Sequence, residues 1–211
     1  MMESQGNSKT NPIDMAEVFA CFYEQLYDTC VPTEEQGKDS TEHSLAITAN
    51  EIATAVKKLR NGRTSGDDGL LAEMLKTNHQ GLLQFIARVF TDILHGRAET
   101  PTSWKESRLV VLFKKGDASL PKNCRPIAII SVLNKLFSGV ILARVKPLLE
   151  SLQAPEQAGF RPDFSCSDVV HFLRMVSEKS HEWGLEVWAA SLDLEKAFDK
   201  VSHESVFYSL C

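Results

Sequence analysis

The sequence lacks most features that mark secreted, membrane-spanning or metal-binding proteins. Its five cysteines are scattered without a C-x-x-C pair, and its six histidines show no metal-ligand spacing. The first residues, MMESQGNSKTNP, are unlike a secretory leader, and the longest apolar runs, IAIISVL and GVILA, are too short to span a bilayer. We therefore expect an intracellular protein, cytoplasmic or nuclear, with reduced thiols and no membrane partner.

Signatures of several common enzyme classes are also missing. The sequence has no G-x-S-x-G, H-E-x-x-H or G-x-G-x-x-G motif, and its glycine-rich stretch NGRTSGDDG lacks the G-K-[ST] of a Walker loop. The Gly-Asp-Asp within this stretch lies between two predicted helices and not at the tip of a β-hairpin. We therefore interpret Asp67 and Asp68 as residues of a turn and of the start of a helix, not as metal ligands.

Charge is distributed unevenly along a chain of otherwise ordinary composition, with 43% hydrophobic residues and a net charge of −5. Residues 1–51 carry two Lys and ten Asp or Glu, whereas residues 104–146 carry nine Lys or Arg against two acidic residues. Residues 147–211 are acidic again. A basic segment within an acidic chain indicates a local site for a polyanion such as phosphate, with a solvated lysine face as the alternative.

Apolar periodicity predicts helices in the first half of the chain. The predicted elements are an amphipathic helix over 14–30, a polar linker over 31–44, and helices over 70–77 and 82–95. Between the linker and the helix over 70–77, Thr48 and Glu51 form a T-x-x-E capping box that should begin another helix. Gly96 is placed to end the helix over 82–95.

The second half of the chain alternates strand-like and helical patterns. The predicted elements are a strand at SRLVVLF, an extended segment NCRPIAII, a helix over SVLNKLFSGVILARV, a helix capped by Ser165 and Asp168, a strand LEVWAASLDL, and a final helix capped by Ser202. Pro147 should kink or restart the helix that it follows. The strand LEVWAASLDL is expected to deliver Asp193 to its C-terminal end.

Asp193 is the carboxylate that most needs an explanation, because a charge at the end of a buried strand is costly without a partner. Such a residue can bind Mg²⁺ together with a nearby backbone carbonyl. Asp199 follows six residues later, which on a helix is a rotation of about 600° and places it off the same face. Spacing alone leaves a helix-capping or ion-paired carboxylate as the alternative.

The stretch SLDLEKAFDKV resembles the first catalytic motif of reverse transcriptases, in the form found in non-LTR (LINE-type) retrotransposons and related group II introns. Other blocks are similar in the same order, over about residues 14–208. FACFYEQLY is similar to the segment between endonuclease and polymerase, and EIATAVKKLRNGRTSGDDGLLAEMLK resembles the pre-finger block. PTSWKESRLVVLFKKGD and NCRPIAIISVLNKLFSGVILARV resemble the first fingers motif, and QAGFRPDFSC the second.

The resemblance implies an α+β fold with right-hand polymerase fingers and the first strand of the palm, preceded by a helical N-terminal extension. The implied regions are disordered residues 1–11, an N-terminal helix and linker over 12–46, a helical pre-finger region over 47–103, fingers over 104–184, and the start of the palm over 185–211. The implied reaction is RNA-directed DNA polymerisation. It would use an RNA template, a DNA primer, dNTPs and Mg²⁺, with Mn²⁺ possible.

The resemblance also assigns roles to individual residues. Asp193 would be the first catalytic, metal-binding aspartate, with the Leu194 backbone carbonyl on the same ion. Phe198 would be the steric gate that excludes a 2′-hydroxyl and favours dNTPs. The other roles are triphosphate binding by Lys114 or Lys115 and by Arg125, and template binding by Gly159, Phe160 and Arg161. The lysines and Arg125 lie in the basic segment, as phosphate binding requires, with a solvated hairpin turn as the alternative for the lysines.

Three positions depart from the family pattern. Cys124 stands where an aromatic residue usually precedes Arg-Pro, Asp163 replaces a common glycine, and Phe164 replaces a basic or small polar residue. We expect the acidic Asp163 beside the template path to weaken contacts with phosphates.

The family continues beyond the first catalytic motif with a helix, a hairpin carrying paired aspartates, and a thumb, none of which is found in this sequence. We therefore expect a fragment of an incomplete domain that is inactive by itself, because transfer with two metal ions needs the other carboxylates. The alternatives are a non-catalytic nucleic-acid-binding remnant and an inert pseudogene product whose open strand edge favours aggregation.

Overall fold

The computed structural model of the protein describes residues 12–27, 46–77 and 79–210. Its elements are α1 (Pro12–Tyr27), α2 (Ala49–Lys58), α3 (Ala72–Leu75), α4 (Gln80–Leu94), α5 (Thr102–Lys105), β1 (Arg108–Phe113), β2 (Cys124–Ile129), α6 (Val132–Leu152), α7 (Cys166–Trp183) and α8 (His203–Leu210). The predicted mixture of helices and a small number of strands is confirmed. The predictions for residues 1–11 and 31–44 lie outside the described residues.

The local signals for the beginning and end of helices are confirmed in the first half of the chain. The Glu51 amide donates to the Thr48 hydroxyl oxygen at 3.3 Å, and the Thr48 amide donates to the Glu51 carboxylate at 2.8 Å. Helix α4 ends at Leu94, and Gly96 follows with a φ of +67°, a left-handed conformation that glycine adopts without steric cost. Helix α2 therefore begins, and helix α4 ends, at the signal that the sequence provides.

The hydrophobic core is built from the apolar faces of α2, α4 and α6, joined by Trp104 of α5. Its buried members are Ile47, Ile52, Val56, Ala72, Leu75, Leu83, Ile86, Ala87, Phe90, Trp104, Val132, Leu136 and Val140. Phe90 lies at its centre, with the ring centroids of Trp104 and Phe137 at 5.7 and 5.1 Å, both edge-on. Aromatic rings prefer this geometry. The helices predicted from periodicity thus supply one continuous core.

Strands β1 and β2 form an antiparallel hairpin, joined through a short 3-10 helix at Pro121–Asn123. The register pairs Arg108 with Ile129 at one end and Phe113 with Cys124 at the other. Pro126 is tolerated within β2 because each strand of a two-stranded sheet is an edge strand, where a missing amide donor leaves no buried group unpaired.

The later helices also follow their sequence signals. The Ser165 amide donates to the Asp168 carboxylate at 2.7 Å at the start of α7, and the Ser205 amide donates to the Ser202 hydroxyl oxygen at 3.1 Å at the start of α8. Helix α6 continues through Pro147 to Leu152, so the predicted restart at this proline is wrong, whereas a kink there stays a prediction. A proline removes a single amide donor, and the hydrogen bonds on either side of it can continue the helix.

The strand predicted at LEVWAASLDL is not formed. Residues 185–194 have no regular secondary structure, and the only sheet in the described part of the chain is the β1–β2 hairpin. A strand needs a hydrogen-bonded neighbour, and no other strand in the described ranges provides one. Trp188 and Leu192 are accordingly about nine-tenths exposed, at 90% and 91%. The assignment of this segment to a polymerase palm remains a prediction.

The described residues divide into two compact units. The first unit consists of two stretches, the described residues up to Ile141 and those from Lys196 onward. It contains the core and the hairpin. The second is Leu142–Glu195 and contains the end of α6, the following loop, α7 and the segment 185–194. The first unit therefore contains the candidate residues Lys114, Lys115, Arg125 and Phe198. The second contains Gly159, Phe160, Arg161, Asp193 and Leu194.

Candidate functional site

Lys114 and Lys115 lie at the end of β1, where the hairpin begins to turn. The Lys114 amide donates to the Asn123 carbonyl oxygen at 3.0 Å and so extends the strand pairing by one residue. The Asn123 side-chain amide donates to the Asp117 carbonyl oxygen at 2.9 Å, which holds the turn closed. Both lysine side chains are exposed, and neither forms an ion pair with another described residue. The turn is therefore closed by hydrogen bonds, while both lysine side chains remain exposed.

A second set of hydrogen bonds stabilises the same turn. The Ser119 hydroxyl and amide donate to the Asp117 carboxylate at 2.7 and 2.9 Å. These hydrogen bonds, the one from the hydroxyl first, lower the pKa of Asp117. The Asp117 carboxylate is therefore bound to Ser119 within the same turn.

The hairpin brings Arg125 close to the lysines, although they are ten or more residues apart in sequence. Arg125 pairs with Leu112, two residues before Lys114, and its side chain is exposed. Side chains of directly paired residues project from the same face of a sheet. The structure thus collects three of the predicted nucleotide-binding residues on one hairpin, with exposed cationic groups that suit phosphate.

The Gly-Asp-Asp stretch forms a turn, as predicted. The Ser131 hydroxyl donates to the Asp68 carboxylate at 2.6 Å, and the Leu70 amide donates to the same carboxylate at 3.1 Å. Gly66 lies against the chain just before α6, where a Cβ atom would come within 2.9 Å of the Ser131 backbone. The loop is therefore a packing feature that supports the start of α6, and Asp68 is occupied by these hydrogen bonds.

Asp193 and Leu194 lie in the irregular segment that precedes Lys196. Both are exposed, Leu194 to 76%. Within residues 12–27, 46–77 and 79–210 there is no group of three or more His, Cys, Asp or Glu side chains that could hold a metal ion. Asp193 thus offers one carboxylate, which by itself is fewer ligands than a Mg²⁺ site needs.

Phe198 lies in a turn over residues 195–200, between Leu194 and the start of α8, and its side chain is 79% exposed. The residues on either side of it contact α1. The Lys196 ammonium lies 4.2 Å from the centre of the Phe22 ring, and the Tyr27 hydroxyl donates to the Asp199 carboxylate at 3.3 Å. The turn is therefore attached to α1 while the Phe198 ring remains exposed.

Sequence reasoning missed these contacts between α1 and the turn. Burial first, and then the charge and hydrogen bond of Asp199, raise the pKa of Tyr27. The available signal was the spacing of Tyr23 and Tyr27, which places two phenol rings on one face of α1, where they stack at 6.2 Å. Nothing in the spacing identified Lys196 and Asp199 as their partners.

The predicted template residues lie in the loop between α6 and α7. Phe160 is 92% exposed and has a φ of +60°, and Gly159 precedes it. The Arg161 guanidinium lies 5.0 Å from the centre of the Phe164 ring and donates to the Ala154 carbonyl oxygen at 3.4 Å. The departure from the family pattern at Phe164 thus has a structural consequence, because its ring holds Arg161 close to the loop.

Comparison with known proteins gives a consistent result. Residues 113–210 match the family model described as reverse transcriptase (RNA-dependent DNA polymerase). A Xenopus laevis protein named Transposon TX1 uncharacterized 149 kDa protein is 31% identical over 187 residues, which cover 89% of this chain and 14% of that protein. The RNA-directed DNA polymerase from mobile element jockey of Drosophila melanogaster is 26% identical over 93% of this chain and 23% of its own length.

A third relative covers a similar part of the chain. The Retrovirus-related Pol polyprotein from type-1 retrotransposable element R2 of Popillia japonica is 30% identical over 78% of this chain and 22% of its own length. The chain thus spans less than a quarter of the length of each of these three relatives. In the described part of the chain, no helix is long and apolar enough to cross a membrane. The matches extend over most of the sequence, and the chain belongs to the reverse transcriptase family of non-LTR (LINE-type) retrotransposons.

Proposed function

We propose that this chain acts as part of an RNA-directed DNA polymerase. In the reaction, a primer 3′-hydroxyl attacks the α-phosphate of a dNTP that pairs with an RNA template; an O–P bond forms and pyrophosphate leaves. The observation that carries the proposal is the match of residues 113–210 to the reverse transcriptase family, in a region that includes both the basic hairpin and SLDLEKAFDKV.

The basic hairpin is the proposed binding site for the triphosphate. Lys114 or Lys115 would supply a compact positive charge, and Arg125 would supply a planar group that can donate two parallel hydrogen bonds to a phosphate. Their exposure and their common position at one end of the hairpin support this role. Binding would neutralise charge on the nucleotide and hold it in a fixed position, which favours in-line attack.

Phe198 is the proposed steric gate, and Gly159, Phe160 and Arg161 are the proposed contacts for the template. An aromatic ring packed under the incoming sugar leaves no room for a 2′-hydroxyl, so a dNTP would be preferred. The exposure of the Phe198 and Phe160 rings is compatible with contacts to a substrate. Exposed aromatic faces can also stack on bases, with a stabilisation of about 1–3 kcal/mol per base.

Asp193 and the Leu194 carbonyl are the proposed protein ligands for Mg²⁺, with Mn²⁺ as an alternative. When bound, such an ion would stabilise negative charge on the phosphates. The described residues do not form a complete site for it, because Asp193 is the only carboxylate assigned to the ion. The 211 residues by themselves are therefore expected not to catalyse the reaction.

Nucleic-acid binding by the 211-residue chain tests the proposed role of the hairpin. Binding to a single-stranded RNA and to an RNA–DNA primer–template should weaken steeply with salt, because counterions are released from the phosphates. A plot of the logarithm of the binding constant against the logarithm of the salt concentration has a negative slope. Changing Lys114, Lys115 and Arg125 together to Glu should make this slope less steep by about 2 or more. The matched control changes Lys57, Lys58 and Arg60, which are also exposed, to Glu.

The two triple variants separate the outcomes clearly. A loss confined to the hairpin variant supports a phosphate-binding hairpin. Equal losses would show that only net charge matters, and they would contradict the assignment of Lys114, Lys115 and Arg125. Binding without chemistry would favour the nucleic-acid-binding remnant.

Primer extension tests the chemistry. The 211-residue chain is incubated with an RNA template, a DNA primer, Mg²⁺ and dNTPs, beside an Asp193→Ala variant. We expect no incorporation by either protein. Incorporation above the Asp193→Ala control would contradict the expected inactivity of the chain and would establish the polymerase reaction and the role of Asp193 together.

A further inference from the structure

The contacts of α1 with the turn that carries Phe198 lead to one inference beyond these roles. Lys196, the second residue of the turn over residues 195–200, has a left-handed backbone conformation, with a φ of +52°. This conformation is uncommon for a residue with a side chain. The Lys196 carbonyl oxygen accepts hydrogen bonds from the amides of Asp199 and Lys200 at 3.0 and 3.1 Å, which closes the turn around Phe198.

Among the described residues, the side chain of Lys196 contacts aromatic rings and forms no ion pair. Its ammonium lies 4.2 Å from the centre of the Phe22 ring and 5.4 Å from that of Tyr23. The ammonium nitrogen is buried and makes no hydrogen bond within the described part of the chain. A buried cation is costly unless it is compensated, and the ring faces are the compensation available here. Lys196 is therefore anchored specifically to α1.

The other end of the turn is attached to the same helix. The Tyr27 hydroxyl donates to the Asp199 carboxylate at 3.3 Å, and Tyr27 stacks on Tyr23 at 6.2 Å. Tyr23 is only 4% exposed, so the inner part of this aromatic surface is fixed in place. Lys196 and Asp199 lie two residues before and one residue after Phe198. The turn is thus attached to α1 by two separate contacts, one before Phe198 in the sequence and one after it.

We infer that α1 is a positioning element of the nucleotide site, in which Phe22, Tyr23 and Tyr27 hold Lys196 and Asp199 and thereby fix the orientation of the Phe198 ring. The inference rests on the proposed role of Phe198 as the steric gate. It gives the segment FYEQLY a part in the choice between deoxyribonucleotides and ribonucleotides. A ring that can move away from the sugar would admit a 2′-hydroxyl, so discrimination depends on how firmly the turn is held.

The first test measures the attachment of the turn in the 211-residue chain. Hydrogen exchange at the amides of Asp199 and Lys200 reports opening of the turn. Lys196→Met, which keeps the length of the side chain and removes its charge, should accelerate this exchange by about tenfold, the ratio that corresponds to about 1.4 kcal/mol. Lys196→Arg should preserve protection, because a guanidinium also binds ring faces.

The matched control for the first test is Lys200→Met, a change of an exposed lysine in the same turn. It should leave exchange at Asp199 unchanged. Unchanged exchange in Lys196→Met would show that α1 does not hold the turn, and would overturn the inference.

The second test measures nucleotide choice in the complete polymerase, as the ratio of kcat/KM for a dNTP to that for the matching rNTP. Lys196→Met and Tyr27→Phe should each lower this ratio by about tenfold. Lys196→Arg should restore it. Tyr208→Phe is the control for the tyrosine, because Tyr208 is 85% exposed in α8. A merely structural role would lower activity with both nucleotides and leave the ratio unchanged.

Phe198→Ala distinguishes failure of the inference from failure of the proposed gate. If Phe198→Ala lowers the ratio while Lys196→Met and Tyr27→Phe do not, the gate stands and the positioning role of α1 is overturned. If Phe198→Ala also leaves the ratio unchanged, the proposed gate itself is wrong and the inference is overturned with it. A lower ratio in all three variants supports both.

Discussion

Each unit of the protein contains a long helix with an amphipathic pattern, yet the side chains of these two helices have very different surroundings. In the first unit, the apolar face of α4 is buried and Phe90 is 1% exposed. In the second, α7 has no buried residue, and Phe172 is 64% exposed on its apolar side. The comparison shows that periodicity determines which side chains share a helix face, whereas burial depends on a second apolar surface that covers this face.

Helices in both units nevertheless begin at the same kind of sequence signal. Thr48 and Glu51 form a capping box at the start of α2, and Ser165 and Asp168 form one at the start of α7. These hydrogen bonds join residues three positions apart and need no tertiary partner. The second unit therefore has well-defined helices without a core among the described residues. Four predictions test this contrast and the packing of the first unit.

The largest expected effect is in the aromatic core. Phe90→Ala removes a ring that contacts Trp104 and Phe137 and should lower the free energy of unfolding by about 3–5 kcal/mol. The matched control Phe172→Ala should change it by less than about 0.5 kcal/mol, since this ring is already exposed. Urea denaturation measures both. A large loss in Phe172→Ala would show that the second unit has a core that the exposure does not reveal.

Two glycines should respond to the same substitution with opposite sign. Gly66→Ala places a Cβ atom 2.9 Å from backbone atoms of Ser131, so the loop must shift, and we expect a loss of about 1–3 kcal/mol. Gly139→Ala in α6 meets nothing within 4 Å and should stabilise the protein by about 0.5–1 kcal/mol. Thermal unfolding distinguishes the two. A neutral Gly66→Ala would mean that the loop is not packed against the start of α6.

The two capping boxes allow a smaller and more selective test. Thr48→Ala should lower the free energy of global unfolding by about 1 kcal/mol, because α2 is part of the core. Ser165→Ala removes the hydrogen bond that the Ser165 hydroxyl donates to the Asp168 carboxylate at the start of α7. It should weaken hydrogen-exchange protection in the first turn of α7 and leave the global unfolding transition in place. Equal effects on global unfolding would indicate that the two units unfold as one.

The smallest expected effect is on pH dependence. Hydrogen bonds from the Ser165 hydroxyl and amide lower the pKa of Asp168, and the hydrogen bond from the Gly62 amide lowers that of Glu73. A carboxyl whose pKa is lower in the folded than in the unfolded state stabilises the fold above the unfolded value. This contribution is lost as the pH falls from about 4 through the folded value.

NMR titration of the two carboxyl groups checks this dependence, with Asp168→Asn and Glu73→Gln as controls. As the pH falls, the first turn of α7 should lose protection near Asp168, and the loop around Gly62 should lose protection near Glu73. A folded pKa for either group at or above its unfolded value would contradict the prediction.

Much of the secondary structure was predictable from the sequence because its signals are local. The helix starts at Thr48, Ser165 and Ser202 and the end near Gly96 depend on residues a few positions apart. The prediction of a strand before Asp193 was wrong because strand formation does not depend on local signals alone. An alternating apolar segment becomes a strand only when another strand pairs with it, and the described residues supply none.

The residues of the candidate site were proposed from the sequence one by one, without their arrangement. The basic segment and the resemblance to reverse transcriptases identified Lys114, Lys115 and Arg125 from the sequence. Strand pairing then brought Arg125 close to the lysines. The attachment of Lys196 to Phe22 joins residues 174 positions apart, and no periodicity could indicate it.

The family, the starts of the capped helices and the types of residue that phosphate binding requires can be read from the sequence alone. These depend on side-chain chemistry and on hydrogen bonds within one turn of the chain, so they are readable position by position. The tertiary structure was needed to show which apolar faces are covered, which strands find partners, and that α1 contacts the turn around Phe198. Those outcomes depend on surfaces distant in sequence meeting in space, because burial and strand pairing each need a second surface.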